Sequence, residues 1–184
     1  MPTGPEGPTW PKSPCWEHQK QMECPNWLRQ ERRVRFGDTD AAGVMHFHQL
    51  LRWCHEAYEE SLERYGIRAA EIFPRPEWSM EDLPSKQAAP AQTRAALTIA
   101  LPIVHCSADY RRPLVCGDQL SISLEPRQLD PGSFEVTYSF ACAGQSAAQG
   151  LTRHRAISIA TRQGCTLPDG ISTWLKASHP AGEP

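Results

Sequence analysis

Residues Arg33 to Gly66 read RVRFGDTDAAGVMHFHQLLRWCHEAYEESLERYG. The stretch opens as a strand, passes through a turn carrying Asp38 and Asp40, and closes as a helix. Phe47, Leu50, Leu51, Cys54, Ala57, Tyr58, Ser61, Leu62 and Tyr65 recur at i, i+3, i+4, i+7 spacing, which predicts one amphipathic helix over residues 46–65. So wide an apolar stripe implies a helix largely wrapped by other structure. Gly66 stands where a left-handed C-terminal cap is expected.

Upstream, LRQERRVRF reads as a first strand beginning near Trp27. Residues 1–26 are rich in Pro and Gly and poor in aliphatics, so they are expected to be a flexible tail before a single domain over 27–184. Downstream, residues 68–95 form a long excursion without sustained period, with room for a short helical turn or two. From Ala96 the texture becomes strand-like. ALTIALPIVHCSADYRRPL is one long strand that Pro102 bends and Pro113 closes, DQLSISLEPRQL a second, SFEVTYSFACA a third after the Asp130-Pro131-Gly132 turn, and SAAQGLTRHRAISIAT a fourth. The closing LPDGISTWL is expected to pack on the sheet edge. A strand, a long helix and then four turn-linked strands imply an α+β fold, an antiparallel sheet around one central helix.

The 184 residues carry a formal net charge of −2, which argues against a nucleic-acid binder needing a basic excess to neutralise phosphates. No apolar run is long enough to span a bilayer and the N-terminus lacks a secretory signal pattern, so a cytoplasmic protein is expected. Seven cysteines without framework spacing fit reduced thiols. Cys15, His18 and Cys24 match no closed metal-ligand pattern, and no metal is expected.

Asp38 and Asp40 admit two readings. Asp is a favoured N-cap and turn residue, and Asp38 fits that role. Asp40 fits it less well, because Ala41-Ala42-Gly43-Val44 separates it from the helix. A carboxylate facing the unpaired N–H groups of a helix start is a layout suited to acyl transfer. The donors hold an oxyanion, and the carboxylate attacks the carbonyl or activates water.

The same stretch resembles the signature of hot-dog-fold thioesterases of the 4-hydroxybenzoyl-CoA thioesterase type, and LPIVHCSADYRRPLVCGDQLSI resembles their second block. The resemblance runs from about Leu28 to Leu175. Within the family, GDTDAAGV, CHEAYE and the terminal LPDGISTWL are most like the 1,4-dihydroxy-2-naphthoyl-CoA thioesterases of phylloquinone synthesis. It implies that Asp40 is the catalytic carboxylate, as nucleophile or as general base, and that the backbone N–H of Phe47 polarises the thioester carbonyl. It implies an acyl-CoA substrate, with CoA as part of that substrate and no separate cofactor, and a homo-oligomer, dimer or tetramer, whose sites form between subunits.

Gly43, Val44, His46, His48 and His105 are the expected lining of the substrate site. Arg127 and Arg153 rank first for the CoA phosphates, ahead of Arg111, Arg112 and Arg155. Trp53, Tyr58 and Tyr110 are candidate walls for the acyl group. Glu56, Glu59 and Glu60 read as a solvated or salt-bridged helix face, and Cys54 and Cys106 as inert packing thiols. Rival functions are hydrolysis of 4-hydroxybenzoyl or short aliphatic acyl-CoA, a non-catalytic acyl-CoA sensor, and a dehydratase on the same fold.

Overall fold

A computed structural model of the chain describes residues 25–72 and 98–179. Most of the expected tail, Cys15, His18 and Cys24, and most of the 68–95 excursion lie outside those residues.

The helix expected over 46–65 is α1, Phe47–Tyr65, ended by Gly66 at φ 107°. That left-handed conformation suits glycine, and the Gly66 N–H closes the last turn onto the carbonyls of Leu62 and Glu63. A four-residue turn, α2 (Ala69–Ile72), follows. The strands are β1 (Arg29–Arg33), β2 (Ile99–Ala100), β3 (Ile103–Tyr110), β4 (Gln119–Asp130), β5 (Ser133–Cys142), β6 (Gln145–Arg155) and β7 (Ile157–Ser158). Five make one antiparallel sheet in the order β1-β4-β5-β6-β3, while β2 and β7 pair separately. The long strand expected after Ala96 is thus divided at Leu101-Pro102, because proline offers no N–H to a ladder.

Alternation decides what the sheet buries. Leu120, Ile122 and Leu124 of β4 and Phe134, Val136, Tyr138 and Phe140 of β5 are all at most 1% exposed. They form a common core with Leu50, Cys54, Ala57, Tyr58 and Leu62 of α1. Gly150 of β6 permits the close approach of helix to sheet, since a Cβ there would come within 2.4 Å of Cys54 Sγ.

LPDGISTWL does not pack on the sheet edge as expected. It forms most of a third helix, α3 (Asp169–Ser178), which buries Ile171, Trp174 and Leu175 in the core. The Trp174 indole N–H donates to Ser61 Oγ at 3.2 Å, satisfying a buried hydroxyl in the C-terminal part of α1. Three apolar residues at 171, 174 and 175 are a helical stripe too short to stand out by period.

Candidate active site

The two sequence blocks belong together because they are stitched by backbone hydrogen bonds. Val34 N–H donates to Asp118 O at 2.9 Å and Gly117 N–H to Val34 O at 2.8 Å. Met45 N–H reaches Leu114 O at 2.7 Å, and Val44 bridges Val115. The turn RPLVCGD therefore forms the bed on which GDTDAAGVM lies.

Within that loop, Asp40 N–H donates to Val44 O at 2.9 Å and Gly43 N–H to Asp40 O at 3.0 Å. Gly43 has φ 78°, and a Cβ there would meet nothing within 4 Å, so the glycine serves the turn's conformation and leaves open space above it. Asp40 Oδ1 accepts from Ala42 N–H at 2.8 Å. The residue is exposed, and Oδ2 has no partner among the described residues.

Asp38 is held on every side. Its Oδ2 accepts from Arg35 N–H at 2.8 Å, its Oδ1 from the buried Gln49 side chain at 2.9 Å, and its carbonyl from His46 N–H at 2.8 Å. It ties the loop to the first turn of α1.

His46 is the N-cap of α1, and its Nδ1 accepts from His48 N–H at 3.4 Å. The same Nδ1 lies 2.5 Å from Nδ1 of His48, so one ring donates and the other accepts. The Phe47 N–H between them has no acceptor among the described residues. It is the unpaired donor that a helix start leaves. The Phe47 ring is 72% exposed, so this first member of the apolar stripe is not wrapped. The Tyr110 hydroxyl, from the last residue of β3, donates to the Phe47 carbonyl.

Gly43, Val44, His46, His48 and Phe47 therefore gather with Asp40 around one loop and helix start. His105, Arg127 and Arg153 do not. Strand register sets them in one row with Glu135, on the sheet face turned away from α1. Glu135, only 6% exposed, accepts from Arg127 at 2.5 Å and from Arg153 at 3.0 Å. Those hydrogen bonds, Arg127 first, hold its carboxyl below the usual range despite burial. Arg111 bonds Ser146 and Gln149, and Arg155 sits 3.9 Å from Asp130.

Trp53 and Tyr58 are buried in the core and form no wall of an open site, whereas Tyr110 is 47% exposed and borders it. Glu56 and Glu60 carry salt bridges, to Arg52 and Arg32 and to Arg32 and Arg64 respectively, and Glu59 lies 3.4 Å from Nε2 of His55. Burial pushes the Cys54 thiol up to about 12, so it stays protonated and unreactive. Cys106 is exposed on β3 rather than packed. Among the described residues no His, Cys, Asp or Glu cluster could hold a metal ion, and no helix is long and apolar enough to cross a membrane.

Comparison with known proteins bears on the family and the fold. A family model for the thioesterase-like superfamily matches residues 34–175. A Prochlorococcus marinus (strain MIT 9303) protein named 1,4-dihydroxy-2-naphthoyl-CoA hydrolase is 52% identical over 157 residues, 85% of this chain and 95% of its own. A Synechococcus (strain RCC307) protein of the same name is 53% identical over 145 residues, 79% of this chain and 98% of its own. The crystal structure of Slr0204, a 1,4-dihydroxy-2-naphthoyl-CoA thioesterase from Synechocystis, matches with a TM-score of 0.67 at 31% identity, covering 83% of this chain and 98% of that one. The fold is the hot-dog arrangement expected from the sequence, and the chain belongs to the thioesterase-like superfamily.

Proposed function

We propose that this chain hydrolyses 1,4-dihydroxy-2-naphthoyl-CoA, as a step of phylloquinone synthesis in the cytoplasm. Relatives at 52% and 53% identity that bear that name support the substrate. The observation that carries the chemistry is the pairing of a carboxylate engaged through one oxygen only with an unpaired N–H at the head of α1. Phe47 N–H receives the thioester oxygen as it gains negative charge. Asp40 either attacks the carbonyl carbon, giving an anhydride that water then opens, or takes a proton from the attacking water. In both routes one water enters, the free acid forms, and CoA leaves as its thiol. No cofactor is needed beyond the CoA of the substrate. Label found in Asp40 after a single turnover in ¹⁸O-water identifies the anhydride route, with water opening the anhydride at the aspartyl carbonyl.

The test of substrate is kcat/KM across a panel of acyl-CoA esters. The naphthoyl ester should lead 4-hydroxybenzoyl-CoA and short aliphatic esters by at least about tenfold. An aliphatic ester in the lead would overturn the assignment, and no release of free CoA from any ester would favour the sensor.

The working enzyme is proposed to be a homo-oligomer. Asp40 and the Phe47 ring are open to solvent in the single chain, and acyl transfer gains from excluding water. The sheet's two edges suggest how cover arrives. β1, RQERR, is guarded by charge, whereas β3, IVHCSADY, carries one charge and leaves Ile103, Val104 and Tyr110 exposed. A second copy pairing along β3 would cover the site. Because Arg127 and Arg153 lie away from Asp40 of their own chain, their guanidiniums, which keep free N–H groups beside Glu135, are assigned to the CoA phosphates of a site in a second copy packed on that outer face. Replacing both with Ala should raise KM for the CoA ester and leave the pantetheine ester unchanged.

A further inference from the structure

Tyr110 ends the edge strand with its side chain on the α1 side of the sheet. Its register partner is the buried Ala148, and Ala108, which shares its face, pairs with Gly150 beneath Cys54. The chain just after it is anchored, because Arg111 N–H and Arg112 N–H both donate to Ala147 O, at 3.0 and 3.2 Å. From that fixed point the hydroxyl crosses to the carbonyl of the first helical residue, Phe47. Burial pushes the Tyr110 hydroxyl pKa up, and the nearby Cys54 adds to this, so the O–H donor is retained at neutral pH.

Phe47 needs such a tether. Its ring is 72% exposed and contributes little burial, and first turns of helices fray. On its N-terminal side the chain is fixed by Met45 N–H on Leu114 O and His46 N–H on Asp38 O. On its other side the Gln49 bond to Asp38 and the Tyr110 hydroxyl supply the contacts from outside the helix, and Tyr110 alone bonds Phe47 itself. The Tyr110 ring is half exposed, so phenylalanine would pack there as well. The hydroxyl bond to Phe47 is what tyrosine adds.

We infer that Tyr110 is a positioning residue, whose hydroxyl holds residue 47 so that its unpaired N–H meets the thioester oxygen. This rests on the assignment of Phe47 N–H as the oxyanion donor. Transition-state hydrogen bonds lose effect with small displacements, so the cost of losing the tether falls on kcat.

The test is Tyr110→Phe in the full chain, with the naphthoyl ester as substrate. It should lower kcat about tenfold and leave KM within about twofold. A purely structural role would not alter carbonyl polarisation, so the second readout is infrared. An aryl-ketone thioether of CoA, labelled with ¹³C at the carbonyl, should show its stretch shifted down on the wild-type protein and less so on Y110F. A kcat within about twofold of wild type, or an undiminished shift, overturns the inference. Tyr110→Leu separates the ring from the hydroxyl: if Y110F is silent and Y110L raises KM, the residue is only an acyl wall. Asp40→Asn is measured alongside. Loss of turnover in D40N with a silent Y110F sinks the Tyr110 inference alone, whereas full turnover in D40N sinks the site assignment and this inference with it.

Discussion

Asp38 commits both carboxylate oxygens to the protein, whereas Asp40, two residues on, gives one to the N–H of Ala42. The two sit in one turn and have the same chemistry. What separates them is which partners reach each carboxylate. Asp38 lies where the buried Gln49 of α1 can reach it, so it serves as a clamp between loop and helix. Asp40 lies on the far side of a turn closed by Gly43, where no side chain from the core arrives. A carboxylate whose two oxygens both accept from the protein has no oxygen left to face a substrate. One bound at a single oxygen keeps a lone pair for chemistry.

The comparison is broken most directly by making the same substitution twice. Asp40→Asn keeps Oδ1 for Ala42 N–H, so the loop should hold, with the melting temperature within about 2 °C of wild type. Turnover should fall at least about a thousandfold, or about 4 kcal/mol of barrier. A folded D40N within threefold of wild type in acyl-CoA hydrolysis would remove Asp40 from the reaction.

A pH–rate profile sharpens the contrast only once acid unfolding is separated from titration at the site. His154 is buried against Phe134, bonded to Thr152 at 3.0 Å, and burial pushes its pKa down to about 4. Its folded value lies below the unfolded value of about 6.5, so the unfolded chain binds the proton first. Its contribution is complete above pH 6.5 and is lost as pH falls from there towards 4, about 3 kcal/mol in all. His154→Gln should flatten stability against pH in that window, measured by denaturant melts. An unchanged slope would mean that another group governs acid unfolding.

Much of this was legible in the residues, and the boundary is instructive. Nineteen helical residues and the Gly66 cap follow from period and glycine alone, because a buried helix imprints its face on the sequence. The loop carrying Asp40 was legible too, since its spacing and glycine are local. What escaped depends on register and partners far along the chain. His105, Arg127 and Arg153 are properly placed on strands, yet only the ladder shows that all three line up with Glu135 away from α1. Phe47 belongs to the apolar stripe by period but stands at its open end. Gln49 carries no local signal, and its bond to Asp38, eleven residues back, gives it its role. The Tyr110 hydroxyl and the burial of α3 likewise need long-range contacts that no local pattern encodes.

Asp38→Asn completes the pair and should behave in the opposite way to D40N. Both Asp38 oxygens accept from donors, Arg35 N–H and the Gln49 amide. An asparagine keeps its oxygen for Arg35 N–H by turning its NH₂ to Gln49, whose amide must then flip to accept, so two charge-assisted hydrogen bonds become neutral ones. The expected cost is about 2 kcal/mol of stability, with activity per folded molecule reduced far less than in D40N. A smaller effect then tests whether the Gln49 contact is the cause. In Asp38→Asn with Gln49→Glu, the Asn NH₂ has a carboxylate to donate to while its oxygen still serves Arg35 N–H. The charge moves from loop to helix start, where the dipole favours it. The double variant should regain about 1 kcal/mol over D38N, read from the same melts. No recovery would mean that the clamp acts through Arg35 alone, and that Asp38 differs from Asp40 by one hydrogen bond rather than by a link to the helix.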